Sequence, residues 1–451
     1  MSIEALRKEI ETLFHTLEKT PQTASFPLRA EVPLASLSPL EFLQANPLFE
    51  KSYWKDRDSD FEMAGLGIAD CVTSITRCDY SELTHDILQR LGSSNQKNRY
   101  YGGIRFPSPS VPSPEWEKYG YYRFILPLFE VRKSQGHLTL SCTLFLKPFY
   151  SPQQHLAFIL AQVEKLSLTP IENKIPLQFN NSPLHHEPSF ALWEDSMEHM
   201  NIHLRNHHPQ KVVMARKSQV TLSDKVDPGS FLRNLPNEKT FKFWFQVAPE
   251  DSFIGSSPEC LFHKKGRHIV SEAVAGTRSV FPSETQRQDA KKDLQNSLKD
   301  TLEHGFVVSM LQTTLDSLCE KVTKKPIEII ELAHVMHLYQ TFSGTLHSRV
   351  SLATLLTALH PTPAVSGYPV KDAIAMIAEE EPFDRGWYTG VVGYISEEET
   401  LFAVAIRCAH LQENQLSLYS GAGIVEASQA LMEWGELNSK IKIFTDLLSL
   451  A

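Results

Sequence analysis

The chain has little of what marks a secreted, membrane-spanning or nucleic-acid-binding protein. Its 451 residues include six cysteines, at 71, 78, 142, 260, 319 and 408, with no CxxC pair and no compact framework around them. Neither a disulfide scaffold nor a cysteine metal site is expected, and the thiols are read as reduced and buried. No stretch reaches the ~18 uninterrupted apolar residues that a membrane helix needs. The N-terminus mixes acids and bases at helical spacing and lacks the apolar run of a signal peptide, so a cytoplasmic protein without a membrane partner is expected. There is no dense Lys/Arg block, and 44 basic against 53 acidic residues leave a formal charge of −9, which argues against a nucleic-acid partner. An anionic ligand would therefore have to be met by locally placed cations.

What is present is enough apolar material, 42% of the residues, for one very large core or two subdomains. Residues 1–18 read as an amphipathic helix with Leu6, Ile10, Leu13 and Leu17 on one stripe. Tyr121 to Val131 and Leu138 to Leu146 flank a Lys133-Ser134-Gln135-Gly136 turn and read as a hairpin. A polar stretch from Gln178 to Ser189 precedes a helix over 191–206, and the boundary between a divergent N-terminal half (1–188) and a chemistry-bearing half (189–451) is placed there. Beyond it, strands at 211–216, 241–247, 268–272, 401–407 and 415–419 alternate irregularly with helices at 283–312, 371–379 and 428–448. That pattern predicts an α+β fold with a largely antiparallel sheet rather than a βαβ repeat.

Several clusters carry chemistry. On the strand from Lys211 to Arg216, Lys211 shares a face with Val213 and Ala215, so its ammonium is partly desolvated, which favours a neutral general base. Gly255-Ser256-Ser257-Pro258-Glu259 and the run from His268 to Arg278 place two acids, Glu259 and Glu272, on either side of a short hairpin. Glu272 sits among small apolar residues, a setting that favours a protonated general acid. Asp300 and Glu303, and likewise Glu433 and Glu436, are spaced i, i+3 on helices, and two facing acidic pairs suit the hard cation Mg²⁺. Gly421 and Gly423 follow a strand, where backbone amides can face an anion. His199, His203 and His207 recur at i, i+4, i+8, but no acid is placed as in HExxH, so zinc is discounted.

The most informative text is Glu381-Pro382-Phe383-Asp384-Arg385-Gly386-Trp387-Tyr388-Thr389-Gly390, leading into Val404-Ala405-Ile406-Arg407. A glycine-punctuated turn sends the Tyr388 hydroxyl and a strand-borne Arg407 guanidinium toward one place, as a carboxylate-rich ligand requires. Together with Lys211–Arg216, Gly255–Glu259, Glu272–Arg278, Lys299–His304, His337–Leu346, Leu359–Gly367, Gly421–Val425 and Glu433–Lys440, it resembles, in order, the motif series of the chorismate-utilising enzymes. The resemblance covers about residues 190–445 and is closest in wording to isochorismate synthases of the menaquinone type.

That resemblance implies a two-subdomain, layered fold of large antiparallel sheets packed with helices, and a soluble enzyme, monomeric or weakly dimeric, acting on chorismate. It assigns Lys211 to activating water for attack at C2 and Glu272 to protonating the departing C4 hydroxyl. Glu303 and Glu436 match Mg²⁺ ligands, with Asp300 and Glu433 assisting beside them. Tyr388 and Arg407 match carboxylate-binding positions, and Gly421 and Gly423 amide donors. Thr277, His337 and Lys440 match positions near the ring or a carboxylate. Isomerisation of chorismate to isochorismate is the activity implied. The alternatives are a salicylate synthase, which goes on to eliminate pyruvate, and a non-catalytic chorismate-binding protein.

Overall fold

The computed structural model describes residues 2–18, 27–92, 97–109, 111–145, 151–170, 182–206, 209–236 and 238–449. Most of its strands lie on one continuous path of antiparallel ladders that bends into two wings, with shorter strands branching from it. The first wing runs from Val335–Leu346 through His268–Ser279, Cys260–Lys265, Glu399–Val404, Val391–Ile395 and Tyr100–Ile104 to the long strand Tyr122–Ser134. From there the path crosses to Glu62–Ser74. The second wing continues through Lys51–Lys55, Phe241–Ala248, Asp251–Ser257, Cys408–Gln412 and Gln415–Ile424 to Lys211–Thr221. This is the antiparallel α+β architecture expected from the irregular alternation of elements. Strands on both sides of residue 188 pair directly, Lys51–Lys55 with Phe241–Ala248 and Tyr100–Ile104 with Val391–Ile395, so the chain is not divided there into separate hydrogen-bonded networks.

Between the wings lies an aromatic core. Trp54, Phe243, Phe253 and Tyr419 come from one wing, and Tyr101, Tyr394 and Leu401 from the other; Trp116 and Trp387 fill the space between. Edge-on ring contacts such as Trp54 to Tyr394 at 6.1 Å and Phe253 to Trp387 at 6.0 Å give the interface a fixed geometry. Helices cover the outer faces. Tyr80–Leu91, Leu298–Leu318 and Leu352–Leu359 pack on the first wing, Pro39–Ala45 and Ala430–Ser449 on the second, and Ser2–Glu18 on the strands Leu28–Pro33 and His137–Leu144 that extend from Tyr122–Ser134.

Local sequence explains most of these elements. The N-terminal helix buries Leu6, Ile10 and Phe14 while Leu13 is only partly covered, so the stripe runs through Phe14; the side chain of Leu17 lies outside the described residues. The hairpin is Tyr122–Ser134 with His137–Leu144; Leu146 is likewise not described. The single long helix expected over 283–312 is instead two, Glu284–Asn296 and Leu298–Leu318, because Ser297 breaks the first and caps the second, its Oγ accepting the Asp300 N–H. Among the described residues no helix is long and apolar enough to cross a membrane. The cysteines are free thiols; four are buried, but Cys71 is partly covered and Cys78 exposed.

Candidate active site

The two ends of the ladder path meet at a cavity of about 60 Å³, lined among others by Glu259, Thr277, Glu303, His337, Tyr388, Arg407, Gly421, Gly423 and Lys440. At roughly 10–15 Å³ per water, that volume holds only a handful of solvent molecules. Thr277 also lines an adjoining cleft of about 550 Å³ with Lys299, Glu433 and Glu436, so the cleft is the approach to the cavity. Most residues picked out in the sequence thus converge, although they come from widely separated strands, helices and links.

Lys211 is fully buried behind the cavity wall, its Nζ 3.0 Å from Glu303 Oε1 but without a hydrogen bond of good geometry. The turn around Gly367–Tyr368 pairs with Lys211–Val212 and, through Val213 N–H to Ser366 O, keeps the strand's opening residues against the cavity. Next to Glu303, His304 is buried with neither ring nitrogen partnered; burial, with the Lys211 charge adding to it, pushes it down to about 4.

Arg407 was expected on a strand. The strand ends at Val404, and Arg407 lies in the link to Cys408–Gln412 with φ 51°, a turn of the backbone that points its guanidinium inward. Its Nη2 donates to His337 Nε2 at 2.9 Å, and His337 Nδ1–H donates to Gly276 O at 3.1 Å, with Thr277 Oγ1 at 3.2 Å. Burial and the Arg407 charge push His337 down to about 3, so the imidazole is neutral and this tautomer is consistent with both hydrogen bonds. Burial also lowers Arg407 to about 10. Tyr388 stacks on Tyr419 at 5.2 Å, and burial raises its hydroxyl above the ordinary range.

Gly421 and Gly423 do not follow a strand; they lie inside Gln415–Ile424, opposite Ala215 and Val213. Each leaves room that a side chain would fill. A Cβ on Gly423 would come within 2.2 Å of Glu303 Oε1 and 3.0 Å of Lys211 Cε, and one on Gly421 within 2.9 Å of the Tyr388 hydroxyl. Gly421 contributes its carbonyl, which accepts from Lys440 Nζ at 2.7 Å.

The expectation for Glu272 does not hold. Its carboxylate is outside the cavity, gripped by both Arg57 Nη atoms at 2.5 and 2.9 Å, by the Tyr339 hydroxyl at 2.6 Å and by the Cys260 N–H at 2.9 Å. Both carboxylate oxygens are thus taken up by donors outside the cavity. The other acid of the hairpin, Glu259, occupies the place assigned to it: it lines the cavity, is 2% exposed, and its Oε1 has no partner. Burial, helped by the charge of Glu272 and opposed by Lys211 and Lys440, pushes Glu259 up to about 8. A carboxyl that keeps its proton at neutral pH while facing a cavity is equipped as a general acid. One signal in the sequence favours Glu259: Pro258 ends its strand, so the residue after it leaves the ladder, whereas Glu272 sits mid-strand.

The four helix acids are each held by a base. Glu303 pairs with Lys211, Asp300 Oδ2 lies 2.7 Å from Arg278 Nη1, Glu433 contacts Lys299, and Glu436 lies 2.6 Å from Lys440. Among the described residues no three His, Cys, Asp or Glu side chains converge on one point. The donor chemistry nonetheless fits a hard cation. Burial weighs against the Lys299 charge, but Glu433 in contact and Glu303 and Glu436 beyond it raise its pKa, so one ammonium already sits in the field of three carboxylates. Burial and Glu436 together raise Glu433; burial also opposes the charge of Glu436, but Lys440 and Lys299 overcome it and hold Glu436 low. The histidine run offers no comparable cluster: His199 and His203 are exposed, His199 lies 3.7 Å from Glu380, and His207 is outside the described residues.

Behind the cavity sits a residue that sequence reasoning passed over. Arg385 uses all five of its donors, to Val213 O at 2.6 Å, Val365 O at 2.9 Å, Thr389 Oγ1 at 3.2 Å and both oxygens of Glu381, whose Oε1 also accepts the Ala215 N–H at 2.7 Å. Strand, loop and turn, each contributing a cavity wall, are thereby fixed to one guanidinium.

A layered antiparallel fold with a buried acid, a neutral histidine and a cationic cavity defines a carboxylate-binding enzyme class, and comparison places it further. Residues 12–449 match the model of the chorismate binding enzyme family, to which the chain belongs. It is 33% identical over 405 residues to isochorismate synthase 2, chloroplastic, of Arabidopsis thaliana, covering 86% of this chain and 70% of that one. It is 28% identical over 459 residues to isochorismate synthase MenF of Escherichia coli, covering 99% and 100%. The solved structure of MenF, the menaquinone-specific isochorismate synthase from Escherichia coli, superposes with a TM-score of 0.84 over 98% of this chain and 100% of that one, at 26% identity.

Proposed function

We propose that this chain is an isochorismate synthase that adds water at C2 of chorismate and expels the C4 hydroxyl. One observation carries the reading: in a cavity walled by Lys440, Arg407 and Glu303, Glu259 presents a buried, unpartnered carboxyl that holds its proton to about pH 8. Full-length similarity to MenF supports the same activity and favours the menaquinone branch.

Chorismate is a dicarboxylate on a cyclohexadiene. Arg407, the Tyr388 hydroxyl and Lys440 bind and orient one carboxylate, and neutral His337 fixes the Arg407 fork without adding charge of its own. Glu303 and Glu436, with Asp300 and Glu433 beside them, would hold Mg²⁺, which would supply positive charge for the other carboxylate. Lys211 serves as base once Glu303 is engaged elsewhere, since the amine is ion-paired with it here. The oxygen of water bonds to C2 while its proton passes to Lys211; the double bonds shift, the C4–O bond breaks, and Glu259 protonates the departing hydroxyl to water. Lys211 has then gained a proton and Glu259 lost one, and return of that proton resets the site. Reversal uses the same groups in exchanged roles.

Incubating the purified chain with chorismate and Mg²⁺, followed by chromatographic separation, tests the reading. Isochorismate is the expected product; salicylate with pyruvate, or unchanged chorismate, would each replace it with another reading. Calorimetric titration with Mg²⁺ alone tests the metal: Glu303→Gln is expected to abolish the binding heat, and an unaltered isotherm removes Glu303 from the site.

A further inference from the structure

Glu272, left out of the cavity, is bound in a way that bears on Glu259. Glu259 sits between two peptide groups, and one ion pair holds both. Arg57, from the connection between Lys51–Lys55 and Glu62–Ser74, donates through Nη1 to Pro258 O at 2.6 Å, the carbonyl of the peptide before Glu259. The same Nη1 reaches Glu272 Oε2 at 2.9 Å, and that oxygen accepts the Cys260 N–H at 2.9 Å, the amide of the peptide after Glu259. The remaining groups of these peptides are bonded too, Glu259 N–H to Ser257 Oγ at 3.3 Å and Glu259 O from Val404 N–H at 3.1 Å. Both planes flanking the Glu259 Cα are therefore fixed, and with them the direction of its side chain. The pair is well shielded, with side-chain exposure of 11% for Arg57 and 3% for Glu272, so its geometry is not averaged by solvent.

We propose that Arg57 and Glu272 are a positioning pair that aims the general acid Glu259 into the cavity. The inference rests on the reading of Glu259 given above, and it gives residues 1–188 a part in the chemistry, since Arg57 lies 215 positions from its partner. A second effect follows from charge. Glu259 is faced by Lys211 from strand Lys211–Thr221, Glu303 from helix Leu298–Leu318, His337 from strand Val335–Leu346, Arg407 from the link after Val404, and Lys440 from helix Ala430–Ser449. Arg57 approaches from behind with Asp58 at 2.8 Å on its outer side, and Glu272 is the negative charge that opposes proton loss from Glu259. Deleting the Glu272 charge removes that opposition and leaves Arg57 balanced only by the more exposed Asp58, so both changes draw the proton off Glu259 at lower pH.

The test is the pH dependence of kcat and kcat/KM for wild type, Glu272→Gln, Arg57→Lys and Glu259→Gln. Glu272→Gln, close in shape, is expected to move the alkaline limb of kcat down by on the order of one pH unit and to lower kcat about tenfold with KM within about twofold, as for lost positioning of an acid. Arg57→Lys keeps the charge but gives up the two-pronged grip, so kcat falls while the limb stays in place. A Glu272→Gln enzyme that melts earlier but keeps the wild-type limb and kcat has lost only a structural contact, and overturns the proposal. If Glu272→Gln does not fold, Arg57→Lys decides: wild-type kcat overturns the proposal and reduced kcat with unmoved KM upholds it. Glu259→Gln separates the two levels, because near-wild-type turnover there refutes the acid itself, whereas its loss beside an unaffected Glu272→Gln refutes only the positioning pair.

Discussion

Two buried polar regions of this molecule lie side by side and are built on opposite terms. Around Arg385 every donor of the guanidinium has an acceptor, and its partner Glu381 also takes the Ala215 amide. In the adjoining cavity, Glu259 Oε1, Tyr419 Oη and Ser420 Oγ have no hydrogen-bond partner, nor does Lys211 Nζ behind its wall. Leaving a buried polar group unpaired costs about 1–3 kcal/mol, more for a charge. A fold that satisfies one network fully and leaves the next one open is holding the second for a ligand. The satisfied network fixes walls, and the open one does chemistry.

Substitutions should separate the two. In the open region, Lys211→Ala and Glu259→Gln are expected to reduce turnover by roughly two to four decades while chorismate binding persists, as for general acid–base groups; isochorismate formation with a parallel binding titration checks this. In the satisfied region, Arg385→Ala strands the buried Glu381 carboxylate and is expected to destabilise the fold by about 3–5 kcal/mol, read as a shift in the denaturant midpoint. A variant as stable as wild type would remove the distinction between the regions. At their shared wall, Gly423→Ala drives a methyl into Glu303 and Lys211. About a hundredfold loss of turnover with little change in unfolding midpoint is expected, since a misplaced group of about 1 Å costs that much.

The smallest effect is on stability and runs opposite to activity. The folded protein keeps the Glu259 proton up to about pH 8, whereas the reference carboxyl releases it near 4.5. The native state therefore binds more protons than the unfolded chain across that interval, and the wild type loses stability as pH rises through it. Glu259→Gln removes this dependence. Its melting temperature is expected to exceed that of the wild type by more at pH 8 than at pH 5, by differential scanning measurements at both; an equal difference at the two would mean that Glu259 does not carry the proton.

Much of this was legible beforehand because it is local or periodic. The strand at Lys211, the hairpin after Tyr122, the acid pairs at i, i+3 and the turn through Tyr388 depend on spacing that sequence preserves. What was not legible is which of two nearby acids faces inward. Small apolar neighbours made Glu272 look like the proton donor, but its surroundings are set by Arg57, 215 positions away, and by Tyr339, 67 away, which no local pattern reports. Arg385 was hidden for the same reason: it sits inside the most informative motif, yet its acceptors Val213 O and Val365 O are 172 and 20 positions away. The glycines at 421 and 423 were visible as a pattern, but their purpose is read only from what a Cβ would strike.

The central claim is that water enters at C2 as the C4 hydroxyl leaves with a proton from Glu259. Running the reaction in heavy-oxygen water and weighing the product tests it directly. The account predicts isochorismate carrying one solvent oxygen from the wild type, and the same product formed roughly two to four decades more slowly by Glu259→Gln. Isochorismate formed without solvent oxygen, or formed as readily by Glu259→Gln, contradicts it.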